Sequence, residues 1–159
     1  MVMTRPATPA DAVRLTEIAA AAKAHWGYPP SWLTQWRTEL TISPGDLTRW
    51  TVRVATDADG TPLGFVATSA ALPRWEVEHL WVHPAGIGRG IGRLLLREAL
   101  REAHTAGAIG LAIDSDPHAA GFYIRCGAQS VGVVPAPMPG APDRTLPRLW
   151  LDAEAASPP

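Results

Sequence analysis

The most informative segment of the sequence is Val82-His83-Pro84-Ala85-Gly86-Ile87-Gly88-Arg89-Gly90-Ile91-Gly92-Arg93. It leads from the end of a strand-like stretch through four alternating glycines into a helical pattern. A strand, a glycine-rich loop and a helix N-terminus together direct unpaired backbone N–H groups and the positive end of the helix dipole at one place. The segment therefore predicts an anion site, suited to a pyrophosphate.

The glycine spacing fits neither of two common nucleotide-binding motifs. A dinucleotide fingerprint, G-x-G-x-x-G, would need glycine where Ile91 or Arg93 stands, and a P-loop needs Gly-Lys followed by Ser or Thr. Two alternatives stay open at this point. The glycines form a tight turn with no ligand, or they serve a nucleotide module of another kind.

Helical and strand periods alternate upstream of this segment. Thr8-Pro9-Ala10-Asp11 has the residues of a helix start, and the apolar spacing that follows predicts a helix over about 9–24. Ser31 is expected to cap a second helix that carries Trp32, Trp36 and Leu40. Residues 50–82 alternate with a period of two, which predicts three antiparallel strands in a meander.

Downstream, the pattern predicts a helix over 90–104, a buried strand over 108–113 and a short helix over 117–125. Two strands are expected to follow, over 129–134 and 146–151, with a proline-rich loop at 135–142 between them. Pro147 argues for an irregular or edge position of the last strand, because proline cannot donate a ladder hydrogen bond.

Composition indicates one globular domain. The chain has 159 residues, of which 47% are hydrophobic and 18% charged, too apolar for a disordered protein. We predict a single domain over residues 1–152 and a disordered tail over 153–159. Thirteen of the 14 basic residues are arginine, which is typical of a GC-rich bacterial genome.

Charge, apolar runs and cysteine content indicate which classes of binding partner and which cellular location to expect. Fourteen basic and 15 acidic residues give a net charge of -1, and no Lys/Arg block suits nucleic acid. No segment approaches the roughly 20 apolar residues of a membrane span, and no signal peptide is recognisable. Cys126 is the single cysteine and is expected to be a small packed thiol. We predict a cytoplasmic protein with no nucleic-acid or membrane partner.

Two blocks of the sequence resemble the GCN5-related N-acetyltransferase (GNAT) superfamily. Its acetyl-CoA loop, Gln/Arg-x-x-Gly-x-Gly/Ala, falls on Ile87-Gly88-Arg89-Gly90-Ile91-Gly92, with Ile87 in place of Gln or Arg. A second block, residues 114–128, is similar to the family's Asn-x-x-Ala-x-x-Phe/Leu-Tyr-x-x-x-Gly-Phe segment. There Asp116 stands where Asn is common, and Ala128 where Phe is common. The resemblance covers about residues 3–152.

The resemblance implies a fold and a co-substrate. The expected fold is mixed α/β, with a mostly antiparallel sheet of about six to seven strands, splayed between strands 4 and 5 and flanked by about four helices. The expected co-substrate is acetyl-CoA. Its binding residues would be Leu80, Trp81, Val82, Ile87, Gly88, Arg89, Gly90, Ile91, Gly92, Arg93, Asp116, His118 and Tyr123. A homodimer is a further expectation of the resemblance.

Acetyl transfer to an amine needs a base, because an ordinary lysine-type amine is almost entirely protonated at neutral pH. Glu76 and Glu78 lie two apart on the predicted fourth strand and share a face with Leu80 and Val82. A carboxylate beside another on an apolar face suits a base that works near neutrality. We favour Glu78 as the base and place Glu76 second. The alternative is that both glutamates are solvated edge residues without a catalytic role. His79 points to the other face and is expected to be packed.

The resemblance assigns Tyr123 as the acid that protonates the departing thiolate; the alternative is a core aromatic. The same resemblance places the acceptor near the first two helices, where His25, Trp26 and Tyr28 are the best pocket candidates. Their rings suit an apolar body or a cation. Trp32 and Trp36 are at least as well explained as core residues. The five histidines lack metal-ligand spacing, so no metal is expected.

The leading hypothesis is therefore an acetyl-CoA-dependent N-acetyltransferase that acts by direct attack of a primary amine in a ternary complex. The amine would belong to a small molecule or a peptide. The second hypothesis is a non-catalytic acyl-CoA binding or sensing domain, suggested by Ile87 and Asp116. A nucleotide-binding module is the third.

Overall fold

The computed structural model describes residues 1–156. Within them the strands are β1 (Met3–Pro6), β2 (Thr51–Thr56), β3 (Pro62–Ala71), β4 (Arg74–Val82), β5 (Gly110–Asp114), β6 (Gln129–Pro135) and β7 (Thr145–Asp152). The helices are α1 (Ala12–His25), α2 (Pro30–Leu40), α3 (Asp46–Arg49), α4 (Ile91–Thr105) and α5 (Ala120–Arg125). Short 3-10 helices cover Pro9–Asp11, Pro84–Gly86 and Ala153–Ala156.

The strands of this described region form a seven-stranded sheet in the order β1-β2-β3-β4-β5-β7-β6. β2 pairs antiparallel with β1 and β3, and β7 pairs antiparallel with β5 and β6. β4 and β5 run parallel and pair at Trp75↔Leu111 and Glu76↔Ala112. β4 continues beyond these pairs to Val82. The predicted mixed α/β fold is confirmed.

The chain divides into two compact units, and the first comprises Met1–Ser69 and Glu78–Ala99. Leu15 and Ile18 of α1 are fully buried, as the helical spacing predicted. Phe65 of β3 and Leu95 of α4 are buried as well. Each such side chain contributes about 1.5–3 kcal/mol by leaving water, so these residues supply the core of the unit.

The second unit comprises Ala70–Val77 and the chain from Leu100 onward. Its core includes Leu111 of β5 and Leu149 of β7, both almost completely buried. Gly110 begins β5 where the backbone meets β7 closely. A side chain at this position would collide with the Trp150 ring and the Leu151 carbonyl oxygen, so only glycine fits.

Pro147 does not lie on an edge strand, so the edge alternative is wrong. The pairing of β7 with β6 is irregular, with a register shift between Ser130 and Gly132, as the other alternative expected. β7 occupies an interior position between β5 and β6, and Pro147 is paired with Val133. The carbonyl of Pro147 accepts a hydrogen bond from Ser115 N at 2.8 Å, just beyond the last residue of β5. The N and C=O of one strand residue point to the same side, so the missing N–H faces the place where β5 has ended. The proline therefore cannot return a bond to Ser115, and the paired register of β5 and β7 ends at Asp114 and Arg148.

Two short elements differ from the sequence-based expectations. α3 was not predicted, because four residues are too few to show a period. Ala153–Ala156 form a 3-10 helix with Ala153 buried, where a disordered tail was expected from residue 153. Burial of that alanine against the end of the sheet gives these residues a fixed place. Residues 157–159 of the expected tail lie outside the described part of the chain.

Candidate active site

The glycine loop, residues 86–90, connects β4 to α4 in the first unit. Gly88 and Gly90 have φ values of 82° and 75°, in the left-handed region that favours glycine. Gly86 serves packing instead: a Cβ there would lie 3.0 Å from Ile91 Cδ1 and 3.3 Å from Val82 Cγ1. The loop thus turns tightly into the first turn of α4, whose N–H groups lack intrahelical acceptors. This arrangement can hold an anion.

Side chains around the loop are open to solvent. Arg89 and Arg93 are exposed and carry positive charge beside the helix N-terminus. Ile87 is 53% exposed, a high value for a large apolar residue. An anion at the loop would therefore meet backbone donors first and two exposed guanidinium groups second.

Leu80, Trp81 and Val82 form the half-buried end of β4. A Cβ at Gly64 of β3 would lie 2.9 Å from the Trp81 carbonyl oxygen, so this glycine permits a close approach of the two backbones. His83 N donates to Leu63 O at 2.7 Å. The strand end that precedes the glycine loop is thereby held firmly against β3.

His79 is packed among rings, as expected. Its ring centroid lies 5.4 Å from that of Trp50 and 6.0 Å from that of Phe65. Trp81 Nε1 donates to His79 Nδ1 at 3.0 Å. Burial lowers the pKa of His79, opposed by the charges of Glu78 and Asp46. The imidazole is therefore neutral at neutral pH and carries its proton on Nε2.

The two candidate bases have different surroundings, and both are exposed. Glu78, in the first unit, accepts a hydrogen bond from Ser69 Oγ at 2.7 Å. Glu76, in the second unit, has Oε1 3.5 Å from Arg74 Nη2, and its charge also acts on Arg148. Glu76 thus belongs to a set of charged strand residues, whereas a hydroxyl holds Glu78.

Tyr123 lies on α5 in the second unit and is 6% exposed. Burial raises its pKa well above the usual value, and the charges of Cys126 and Asp116 raise it further. The phenol therefore stays protonated at physiological pH. Upstream, His118 N donates to Asp116 Oδ1 at 2.9 Å, and His118 Nδ1 lies 3.1 Å from the same oxygen. Asp116 thus organises the turn that precedes α5.

Aromatic rings near the α1–α2 connection surround the side chain of Lys23, a contact that the sequence analysis did not predict. Lys23 Nζ lies 4.0 Å from the ring centroid of Trp36, 5.0 Å from that of Tyr28 and 5.8 Å from that of Trp81. Lys23 is the single lysine of the chain and is only 8% exposed. Lysine side chains are seldom buried unless they are paired. We call these three rings the aromatic cage. Its cation comes from the protein itself, five residues before Tyr28, a spacing that gave no signal in the sequence.

The other acceptor candidates lie at the surface of the same segment. Trp26 is 40% exposed, and its ring centroid lies 5.8 Å from that of His25 in an edge-to-face arrangement. Tyr28 also stacks on Trp32, with the centroids 5.8 Å apart. His25 and Trp26 are therefore exposed rings, whereas Tyr28 is one of the three rings of the aromatic cage.

Residues 1–156 contain neither a metal-like side-chain cluster nor a membrane-spanning helix. No three His, Cys, Asp or Glu side chains of this range come together as a metal site would need. None of the helices in the same range has the length and apolar character to cross a bilayer.

Comparison with known families connects these features. The family model described as "Acetyltransferase (GNAT) family" matches residues 14–128, which include β4, the glycine loop and α5. The chain belongs to the GNAT acetyltransferase family. No curated protein matches the sequence significantly.

Solved structures share the GNAT fold over almost the whole chain. The PaiA N-acetyltransferase of Thermoplasma acidophilum, in complex with coenzyme A, is 18% identical, with a TM-score of 0.76 and coverage of 96% of this chain and 99% of that one. A GNAT family acetyltransferase from Brucella melitensis, in complex with acetyl-CoA, is 25% identical, with a TM-score of 0.64 and coverage of 96% and 88%. The ribosomal-protein-S18-alanine N-acetyltransferase of Escherichia coli is 18% identical, with a TM-score of 0.72 and coverage of 96% and 94%.

Proposed function

We propose that the protein is an N-acetyltransferase that moves the acetyl group of acetyl-CoA to a primary amine of a small molecule or peptide. The observation that carries the proposal is the glycine loop at the start of α4, in a chain of the GNAT family. Similar structures in complex with coenzyme A and acetyl-CoA support the co-substrate. Direct attack within a ternary complex is the proposed mechanism, because Glu78 and Tyr123 supply a base and an acid for it.

The proposal divides the acetyl-CoA contacts among three segments. The pyrophosphate would bind the backbone N–H groups of residues 87–92, with Arg89 and Arg93 adding charge. The backbone from Leu80 to Val82 would bind the pantetheine arm and the thioester carbonyl. Asp116, His118 and Tyr123 would serve the same ligand from the second block. Ile87 offers no polar side-chain contact, so the loop depends on its backbone donors.

Glu78 is the proposed base, and Glu76 is the second candidate. The parallel pairing of β4 with β5 includes Glu76 but ends before Glu78. Glu76 is also engaged with Arg74, whose guanidinium lies beside one of its carboxylate oxygens. Glu78 has a hydroxyl partner and solvent access, which leave a carboxylate oxygen available for a proton from the amine.

Tyr123 is the proposed proton donor to sulfur. In the proposed reaction Glu78 takes a proton from the acceptor ammonium, directly or through water, and the nitrogen lone pair attacks the thioester carbon. The C–S bond breaks and its electron pair leaves with sulfur, which takes the Tyr123 hydroxyl proton. The proton lost by the new amide nitrogen restores the phenol, and Glu78 returns its own proton to water. The raised pKa of Tyr123 keeps the phenol protonated until sulfur develops charge.

His25 and Trp26 are the proposed acceptor contacts, with Tyr28 behind them. The aromatic cage already contains Lys23, so an acceptor cation would have to compete with it. An acceptor with an apolar body against Trp26 fits better than a polycation.

The experiment that tests the function follows thiol release from acetyl-CoA with a chromogenic disulfide over a panel of amines. The panel contains amino acids, polyamines, aminoglycosides, arylalkylamines and peptide N-termini. Glu78→Gln is expected to lower kcat by about 10²–10⁴-fold, the usual contribution of general base catalysis. Tyr123→Phe should lower it by about 10²–10⁴-fold, the usual contribution of a general acid. Glu39→Gln, an exposed glutamate on α2, is the matched control and should have full activity.

The second candidate function is a non-catalytic acyl-CoA sensor, favoured by the exposed Ile87 in the loop. Tight acetyl-CoA binding without thiol release over the whole panel would support it. Full turnover of both Glu78→Gln and Tyr123→Phe would instead refute the assigned roles.

Assembly and location complete the proposal. We place residues 1–152 in a single functional domain of a cytoplasmic, bacterial protein that acts as a homodimer without nucleic-acid or membrane partners. Size-exclusion chromatography with light scattering tests the dimer directly, and a monomeric mass at micromolar concentration would contradict it.

A further inference from the structure

The hydrogen bond between Ser69 and Glu78 links two strands in the first unit. Ser69 lies near the end of β3, and Glu78 lies in the middle of β4, the next strand in the sheet. Ser69 Oγ donates to Glu78 Oε1 at 2.7 Å, a short bond typical of an O–H donor and a carboxylate acceptor. Ser69 is half-buried, whereas the glutamate is exposed.

An exposed glutamate has three side-chain torsions and samples many rotamers in solution. A base must present one carboxylate oxygen to its proton in a defined place, because misplacement of about 1 Å costs orders of magnitude in rate. The Ser69 hydroxyl fixes Oε1 and leaves Oε2 as the oxygen that receives a proton. Glu76, in contrast, has the Arg74 guanidinium as its neighbour, where Glu78 has the Ser69 hydroxyl.

We propose that Ser69 is a positioning residue for acetyl transfer, which holds the Glu78 carboxylate so that Oε2 receives the proton of the acceptor ammonium. This inference rests on the proposed function, in which Glu78 is the base. Ser69 itself touches neither substrate nor cofactor in this scheme. Ser69 therefore contributes to kcat only when residue 78 is a carboxylate that can act as the base. A general structural effect of Ser69 on the strand would not depend on residue 78.

The experiment compares Ser69→Ala and Ser69→Thr in steady-state acetyl transfer. Ser69→Ala should lower kcat about tenfold and leave the KM for acetyl-CoA unchanged. Ser69→Thr retains the hydroxyl on a residue suited to a strand, so its kcat should stay within about threefold of the wild type. Ser130→Ala, a change at an exposed serine of β6, controls for the loss of a surface hydroxyl. Equal kcat values for wild type and Ser69→Ala would overturn the proposal.

A double-mutant cycle shows whether Ser69 acts through Glu78. Adding Ser69→Ala to Glu78→Gln should change kcat less than twofold, because no base remains to be oriented. An equal tenfold loss in both backgrounds would overturn positioning in favour of a structural effect. Full activity of Glu78→Gln, in contrast, would refute the proposed base itself, so failure of the function and failure of this inference give different results.

A spectroscopic measurement tests the inference without turnover. Three-bond scalar couplings in isotope-labelled protein report the side-chain torsions of Glu78. They should indicate one dominant rotamer in the wild type and in Ser69→Thr, and rotamer averaging in Ser69→Ala. Averaged couplings in the wild type would overturn the proposal, whatever acceptor the enzyme uses.

Discussion

At the residue scale, Asp11 shows how a local sequence signal becomes a larger interaction. Thr8-Pro9-Ala10-Asp11 predicted a helix start, and Thr8 N does donate to Asp11 Oδ2 at 2.8 Å. The structure adds Arg5, whose two terminal nitrogens each lie 2.8 Å from one carboxylate oxygen. This hydrogen-bonded guanidinium holds the pKa of Asp11 below its usual value, against the opposing effect of burial. No local pattern could reveal Arg5, because it comes from the preceding strand.

Asp11→Asn should lower the free energy of unfolding at pH 7 by about 1–2 kcal/mol, because it removes a charge-assisted pair and weakens the helix start. A folded-state pKa that is depressed gives stability above the unfolded pKa of about 4 and loses it as the pH falls through the folded value. The difference between wild type and variant should therefore shrink below about pH 4. Urea unfolding over a pH series measures it.

Asp59→Asn, in the exposed turn between β2 and β3, is the matched control and should be nearly neutral. A wild-type advantage that persists unchanged to pH 2 would show that the Asp11 charge is not its source.

At the element scale, the sequence predicts long periodic elements well and short ones poorly. Apolar spacing indicated α1 and α4, and alternation indicated β2, β3 and β4, because each extends over several repeats of its pattern. In β3 both faces are buried from Leu63 to Thr68. α3 is held by Ser43 and Asp46, whose reciprocal bonds span three residues and leave no period to detect. The edge alternative for Pro147 was wrong because an interior strand tolerates a proline where the neighbouring strand ends. The end of β5 is a property of tertiary pairing, which the local sequence does not show.

The glycine loop gives the element-scale prediction. Gly90→Ala forces an L-residue into a left-handed conformation and should destabilise the protein by about 1–2 kcal/mol. The same change should weaken acetyl-CoA binding at least tenfold, because the strained loop would redirect its N–H groups. Isothermal titration with acetyl-CoA measures the affinity.

Gly60→Ala is a matched control with the same kind of strain. Gly60 has a φ of 83° in the turn between β2 and β3, with open space around its Cα. It should lose similar stability and bind acetyl-CoA like the wild type. If Gly90→Ala and Gly60→Ala bound acetyl-CoA with equal affinity, the glycine loop would not be the acetyl-CoA site.

At the scale of the whole molecule, the candidate site was only partly predictable. The glycine loop and the block that contains Tyr123 are each one continuous stretch of sequence, so a resemblance to a family could identify them. The cation in the aromatic cage was not predictable, because Lys23, Trp36 and Trp81 lie on three separate elements. The hydroxyl beside Glu78 was missed for the same reason. Contacts between strands depend on register, which the pattern of single residues does not specify.

Ligand-linked stability tests the co-substrate on the intact chain. A ligand that binds the native state alone stabilises it by about 2.7 kcal/mol at 100 times its Kd. For a chain of this size, that corresponds to a rise of about 5–10 °C in Tm. Acetyl-CoA should produce this rise in differential scanning calorimetry, whereas NAD and ADP at the same concentration should produce much less, because neither carries the pantetheine arm that the end of β4 is proposed to bind. A nucleotide-binding module would reverse the order, with ADP or NAD stabilising the protein and acetyl-CoA leaving Tm unchanged.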